Sequence, residues 1–187
     1  MTTSTDIVNE ALQLCGNNSP LIQGAAPSFD ASPAGIVAAQ IYTPVVQFVG
    51  REHGWDMARN TVALTASGTA PFPWSRQYLY PTNGIQVWQV MPTSLADANN
   101  PLPVRWVVAN ALIASVQTKV IHTDINPAQA VYNNNPGPDV WDPGFRQAVV
   151  RMLASEFAIA LFGQPDTSRL MLQSGAQIEQ IAEGRFN

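Results

Sequence analysis

The chain has 187 residues, of which 46% are apolar and 12% charged, about half the charged share of an ordinary soluble domain; disorder, which needs low hydrophobicity and high net charge, is excluded for its body. Nine basic residues against 13 acidic ones give a net charge of −4. With Lys119 as its sole lysine the chain lacks the cationic clusters that bind duplex DNA, and with Cys15 as its sole cysteine it has no intrachain disulfide and no multi-cysteine zinc site.

At the N-terminus, residues 1–6 are polar and carry no basic segment, so no secretion signal is expected. Ile7, Val8, Ala11, Leu12, Leu14 and Cys15 then recur at helical spacing, with Thr5 or Ser4 as cap and Gly16 as stop. After a loop over 17–30, Ser32-Pro33 reads as N-cap and first helical residue. The helix that follows must kink or break at Pro44, which has no N–H to donate. The apolar run 34–50 is interrupted by Gln40, Thr43, Pro44 and Gln47 and is too broken to span a bilayer. A soluble protein made in a cytoplasm, with no membrane partner, is therefore expected. A third helical pattern covers residues 55–64.

The middle changes character. Residues 67–73 form a Gly/Pro loop, and residues 85–91, 104–109, 119–123 and 128–132 read as short strands. Thr82-Asn83-Gly84 supplies a turn with positive φ angles. Helix returns at Asp142-Pro143, a cap followed by proline at the first position, and runs to Phe162 before Gly163. A last helix runs from Asp166 to about Ala182, with Leu170, Ser174, Ile178 and Ile181 as its seam. The expected fold class is α+β: mainly a helical bundle of N- and C-terminal helices (residues 1–66 and 141–187) around a central β-rich insertion (residues 67–140).

Site chemistry is sparse. Cys15 continues the apolar stripe near a helix C-terminus, where the dipole opposes a thiolate, so it reads as a core cysteine. His53 and His122, with Asp56 or Asp124 nearby, lack zinc-site spacing and read as surface or capping histidines. Glu156 falls inside the apolar arc of Phe145, Val149, Met152 and Ala160, which makes it a paired buried charge or a contact to another chain. Trp55, Trp74, Trp88, Trp106 and Trp141 read as core and interface anchors. No phosphate-binding glycine loop is present, so no cofactor, metal or catalytic residue is expected. A surface poor in charge suits burial against other subunits.

Four segments in order resemble one family, the head–tail adaptors of short-tailed bacteriophages, or tail tubular protein A family. DIVNEALQLCG, residues 6–16, is similar to its opening I-V-N-x-A-L pattern. REHGWDMARNTVAL, residues 51–64, resembles its H-P-W-N-F-A segment: His53, Trp55 and Ala58 match, while Gly54 and Met57 depart from it. WSRQYLYP, residues 74–81, resembles a W-x-x-x-Y-x-x-P strand through Trp74, Tyr78 and Pro81. WDPGFRQAVVRMLASEFAIAL, residues 141–161, resembles the penultimate helix. Residues 91–132 match least.

The resemblance implies a structural virion protein in the phage neck, without catalysis or cofactor. It implies a ring of twelve copies between the portal protein and the tail nozzle or tail tube, with the genome passing through its lumen unread. It also implies a portal contact for the C-terminal Arg185, Phe186 and Asn187, which otherwise read as a frayed end. Two other classes stay open: a different head-completion or tail-terminator protein, and a cell-wall hydrolase carried in the virion.

Overall fold

The computed structural model describes residues 1–16, 21–52, 55–93 and 104–183, with side chains through residue 178 of the last helix. The chain is mixed α+β. It divides into two compact units, a helical one from residues 1–57 and 135–187 and a sheet one from residues 58–134. Residues 58–66, grouped by sequence with the N-terminal helices, thus belong to the sheet unit, and residues 135–140 belong to the helical one.

In the helical unit, α1 (Ser4–Leu14) is capped by Thr3 rather than by Ser4 or Thr5. Thr3 Oγ1 accepts from the Asp6 amide at 3.2 Å and the Thr3 amide donates to Asp6 Oδ2 at 2.8 Å, a reciprocal capping box. The hydroxyls of Ser4 and Thr5 are used elsewhere: Ser4 Oγ accepts from the Ala26 amide and Thr5 Oγ1 donates to the Gly24 carbonyl. Both bonds hold a small hairpin, β1 (Gly24–Ala25) and β2 (Ser28–Phe29), against the start of α1. Ile7, Val8, Ala11 and Leu12 are buried, while Leu14 leaves the stripe and is exposed.

The second helix, α2 (Pro33–Glu52), starts where Ser32-Pro33 predicts: Ser32 Oγ accepts from the Gly35 amide at 3.0 Å. It is not broken at Pro44. Gln40, whose carbonyl loses its helical partner there, lies with Pro44 on the solvent side, so that carbonyl is not stranded in the core. Helix α3 (Pro143–Ala160) opens on Asp142, whose Oδ1 accepts from the Gly144 amide at 2.7 Å. It packs against α1, α2 and α4 (Pro165–Glu183). Phe145 on α3 meets Trp55 and Trp141 edge-on, with centroids at 5.2 and 4.9 Å. Both indoles are satisfied, donating to the carbonyls of Val49 and Pro136. The seam of α4 differs from expectation. Ser168 and Gly175 are buried on it, and Leu170 faces solvent.

Among the described residues the sheet unit holds two three-stranded antiparallel sheets. One has the order β3 (Arg59–Ala63), β8 (Ala128–Asn133), β5 (Gln86–Pro92); the other has β4 (Arg76–Leu79), β7 (Val116–Thr123), β6 (Trp106–Ile113). The helix expected over 55–64 is instead a short 3-10 turn, Asp56–Ala58, followed by β3. Pairing with β8 across five residues outweighs the local helical pattern. Both sheets supply one core: Tyr78 and Ile121 from the second sheet meet Val87, Val90, Ala128 and Ala130 from the first. At the far side of β4, residues 65–67 continue past β3 and hydrogen-bond to it, through Leu79 N to Thr65 O and Ser67 N to Gln77 O. Positive φ in the Pro81–Gly84 turn falls on Asn83 at 63° and not on Gly84. Glycine is needed at 84 for space, because a Cβ there would lie 2.9 Å from the Tyr80 ring.

Candidate functional site

The residues singled out from sequence fall into separate roles rather than one centre. His53, Arg185, Phe186 and Asn187 lie outside the described residues. Trp55 and Ala58 are buried, Trp55 in the core of the helical unit. In the sheet unit Trp74 precedes β4 and Tyr78 lies within it. The Tyr78 hydroxyl donates to the Ile125 carbonyl at 2.9 Å, tying β4 to the link between β7 and β8. Pro81, also buried, accepts from the Gly84 amide at 3.0 Å.

Asp124, a candidate metal ligand by sequence, is committed to its neighbours. Its Oδ1 accepts from the hydroxyl and amide of Ser75 at 2.8 and 3.1 Å, and its Oδ2 accepts from Arg105 at 3.0 Å. The Ser75 hydroxyl and then its amide hold the Asp124 carboxyl below the ordinary carboxylate value. Arg105 stands 5.6 Å from the Trp74 ring centroid. The group is solvent-exposed, so its ion pair adds little stability.

His122 is neither a surface nor a capping residue. It is buried on β7, with Nε2 3.0 Å from Oε1 of Gln77 on β4. Gln77 Nε2 donates in turn to the Ser67 carbonyl at 2.7 Å. Among the described residues no three His, Cys, Asp or Glu side chains gather as a metal-binding group.

Cys15 is half-buried instead of core, and its Sγ donates to the Ala154 carbonyl at 3.0 Å. Burial pushes its thiol pKa up, the opposite of an activated nucleophile. Glu156 is exposed on α3, which removes the buried-pair reading. The buried arc of α3 keeps Phe145 and Val149 and runs on through Ala148, Leu153, Ala154 and Phe157, with Glu156, Ile159 and Ala160 outside it. Of the tryptophans, Trp55 and Trp141 are core anchors, whereas Trp74, Trp88 and Trp106 are half-buried.

The arrangement therefore offers surfaces more than chemistry. From Pro33 to Gly50, α2 carries no charged residue, yet its outer side exposes Ile36 (52%) and Phe48 (50%). Helix α4 exposes Leu170 (65%), and α3 exposes Ile159. A surface helix ordinarily sets charge opposite its buried face. In the sheet unit the β6–β7 hairpin extends past the last residue paired with β4 and exposes Leu112 (73%) and Val116 (63%) near its tip. These surfaces were missed in the element-by-element reading. Their signal was present in the uncharged runs 33–50 and 106–118.

No helix among the described residues is long and apolar enough to cross a membrane. Compared with known proteins, the chain matches no family model and no curated sequence.

Proposed function

We propose that this protein is a structural subunit of a short-tailed bacteriophage virion, a head–tail adaptor that forms a ring of twelve copies between portal and tail nozzle. The observation that carries the reading is the pair of uncharged surfaces with exposed apolar side chains, one on α2 and one on the β6–β7 hairpin. A subunit held by copies on both sides needs two different faces, each apolar enough to hold and polar enough to stay folded alone. The four-motif resemblance supplies the partners: portal, nozzle or tube, and genome DNA sliding through the lumen unread.

In this reading the four helices act as a bundle, and residues 185–187 reach the portal. Neither catalysis nor a cofactor enters it; the neck of the virion is its place of action, after synthesis in the host cytoplasm. The test is electron microscopy of the full chain mixed with its cognate portal ring. Added density of twelve-fold order beneath the portal is expected. A portal ring left bare at saturating protein overturns the proposal.

A further inference from the structure

Among the described residues the sheet unit has four outer strand edges, and three are blunted. Residues 65–67 hydrogen-bond along β4. Strand β5 carries a register shift between Val87 and Gln89 and ends at Pro92. Strand β3 is five residues long and begins with Arg59. Bulges, prolines, short strands and charges are the usual devices against unwanted pairing. Strand β6 has none of them: its eight residues, WVVANALI, contain no charge and no proline.

The register fixes what that edge offers. Ile113 pairs with Val116 across the two-residue turn Ala114-Ser115, so Ile113, Ala111, Ala109 and Val107 spend their backbone groups on β7. The backbone N–H and C=O of Val108, Asn110 and Leu112 point the other way. Among the described residues they meet no strand.

We infer that β6 pairs with β6 of a second copy of this chain, antiparallel about a two-fold axis at Asn110, joining two three-stranded sheets into one. Charge and side-chain matching select this occupant. A strand laid against itself sets like against like, which is costly for any charged residue and costs an uncharged one nothing. With Asn110 opposite Asn110, two amides face each other, the most exposed apolar residue of the strand, Leu112, covers Val108, and Val107 meets Ile113. Every apolar residue finds an apolar partner and the polar one finds its own kind. A two-fold contact cannot close a ring of identical subunits, so it belongs to the free protein and stands apart from the adaptor reading. It covers the apolar hairpin before assembly.

The full chain is to be measured by sedimentation equilibrium, as wild type, Asn110→Lys and Leu112→Glu. The wild type is expected to dimerise at micromolar concentration. Asn110→Lys sets two like charges on the axis and Leu112→Glu sets a charge against the apolar Val108, and each is expected to weaken the dimer at least tenfold, with an unchanged circular dichroism spectrum. In a Cys15→Ser background, Asn110→Cys is expected to give a disulfide-linked dimer under mild oxidation, and Gln117→Cys is expected not to. A monomeric wild type, or a dimer indifferent to both charged variants, overturns the inference. Dimers without portal docking would sink the adaptor reading alone, and portal docking by a strict monomer would sink this one alone.

Discussion

Gln77 and His122 stand directly opposite each other on β4 and β7, both buried, with Oε1 and Nε2 3.0 Å apart. The Ser67 carbonyl takes the Gln77 amide N–H, so Oε1 is the atom left facing the ring and His122 Nε2 must carry the proton. Replacing Gln77 by leucine leaves the buried His122 N–H without its acceptor and the half-buried Ser67 carbonyl without its donor. The expected loss is about 1–3 kcal/mol, the cost of orphaned buried polar groups. Urea denaturation checks it, and a change within about 0.5 kcal/mol, the range of ordinary surface substitutions, would show that the network carries nothing.

The β6–β7 turn predicts a gain instead. Ala114 and Ser115 both sit at positive φ, 48° and 66°. Two-residue hairpins with both central residues at positive φ favour Asn-Gly, because residues with a Cβ are strained there. The double substitution Ala114→Asn and Ser115→Gly is expected to stabilise the fold by about 1 kcal/mol. Thermal melting reads this directly, and an unchanged or lowered midpoint contradicts it.

Legibility from sequence followed the range of the forces involved. Caps are local, so Ser32-Pro33 and Asp142-Pro143 announced α2 and α3. Strand β3 was unreadable because its partner β8 lies far along the chain, and residues 55–64 taken alone show a helical period. The turn at 114–115 lacks the usual residues, so the strands on either side of it came out short. Periodicity also misplaced Leu170, because the buried side of α4 runs through the small residues Ser168 and Gly175, which carry no apolar signal of their own. His122 was misread as exposed because nothing in a strand's own residues tells whether both of its faces are covered. The uncharged runs that mark the candidate surfaces were readable, but which side of each element they expose was not.

Gly35 supplies a test in which propensity and packing give opposite signs. Glycine inside a helix is ordinarily worse than alanine by about 0.5–1 kcal/mol. Here a Cβ would lie 2.3 Å from the Asp30 carbonyl oxygen and 2.5 Å from its Oδ1. That carboxylate accepts from the Gln23 and Ser32 amides, and Ser32 caps α2. Gly35→Ala must push this cap aside, and a loss of about 1–3 kcal/mol is expected from overpacking. A more stable alanine variant would mean that the loop gives way freely.

Acid should act on the sheet unit through Asp124. Its carboxyl is held below the ordinary value of 3.8, first by the Ser75 hydroxyl, then by the Ser75 amide, with Arg105 contributing less. A depressed folded-state value means that the folded chain binds the proton less readily than the unfolded one. The stabilisation is therefore fully present above 3.8 and is lost as pH falls through the lower folded value. Asp124→Asn removes the charge at every pH. It is expected to melt below the wild type at pH 7, with the gap closing from 3.8 downward and vanishing only once the pH has fallen through the lower folded value. Because the carboxylate is open to solvent, the difference should be small and should shrink further in high salt. Melting curves of the two proteins across this range decide the matter. A gap that stays constant down to the lowest pH would show that asparagine disturbs packing, and that the Ser75 bonds owe nothing to the charge.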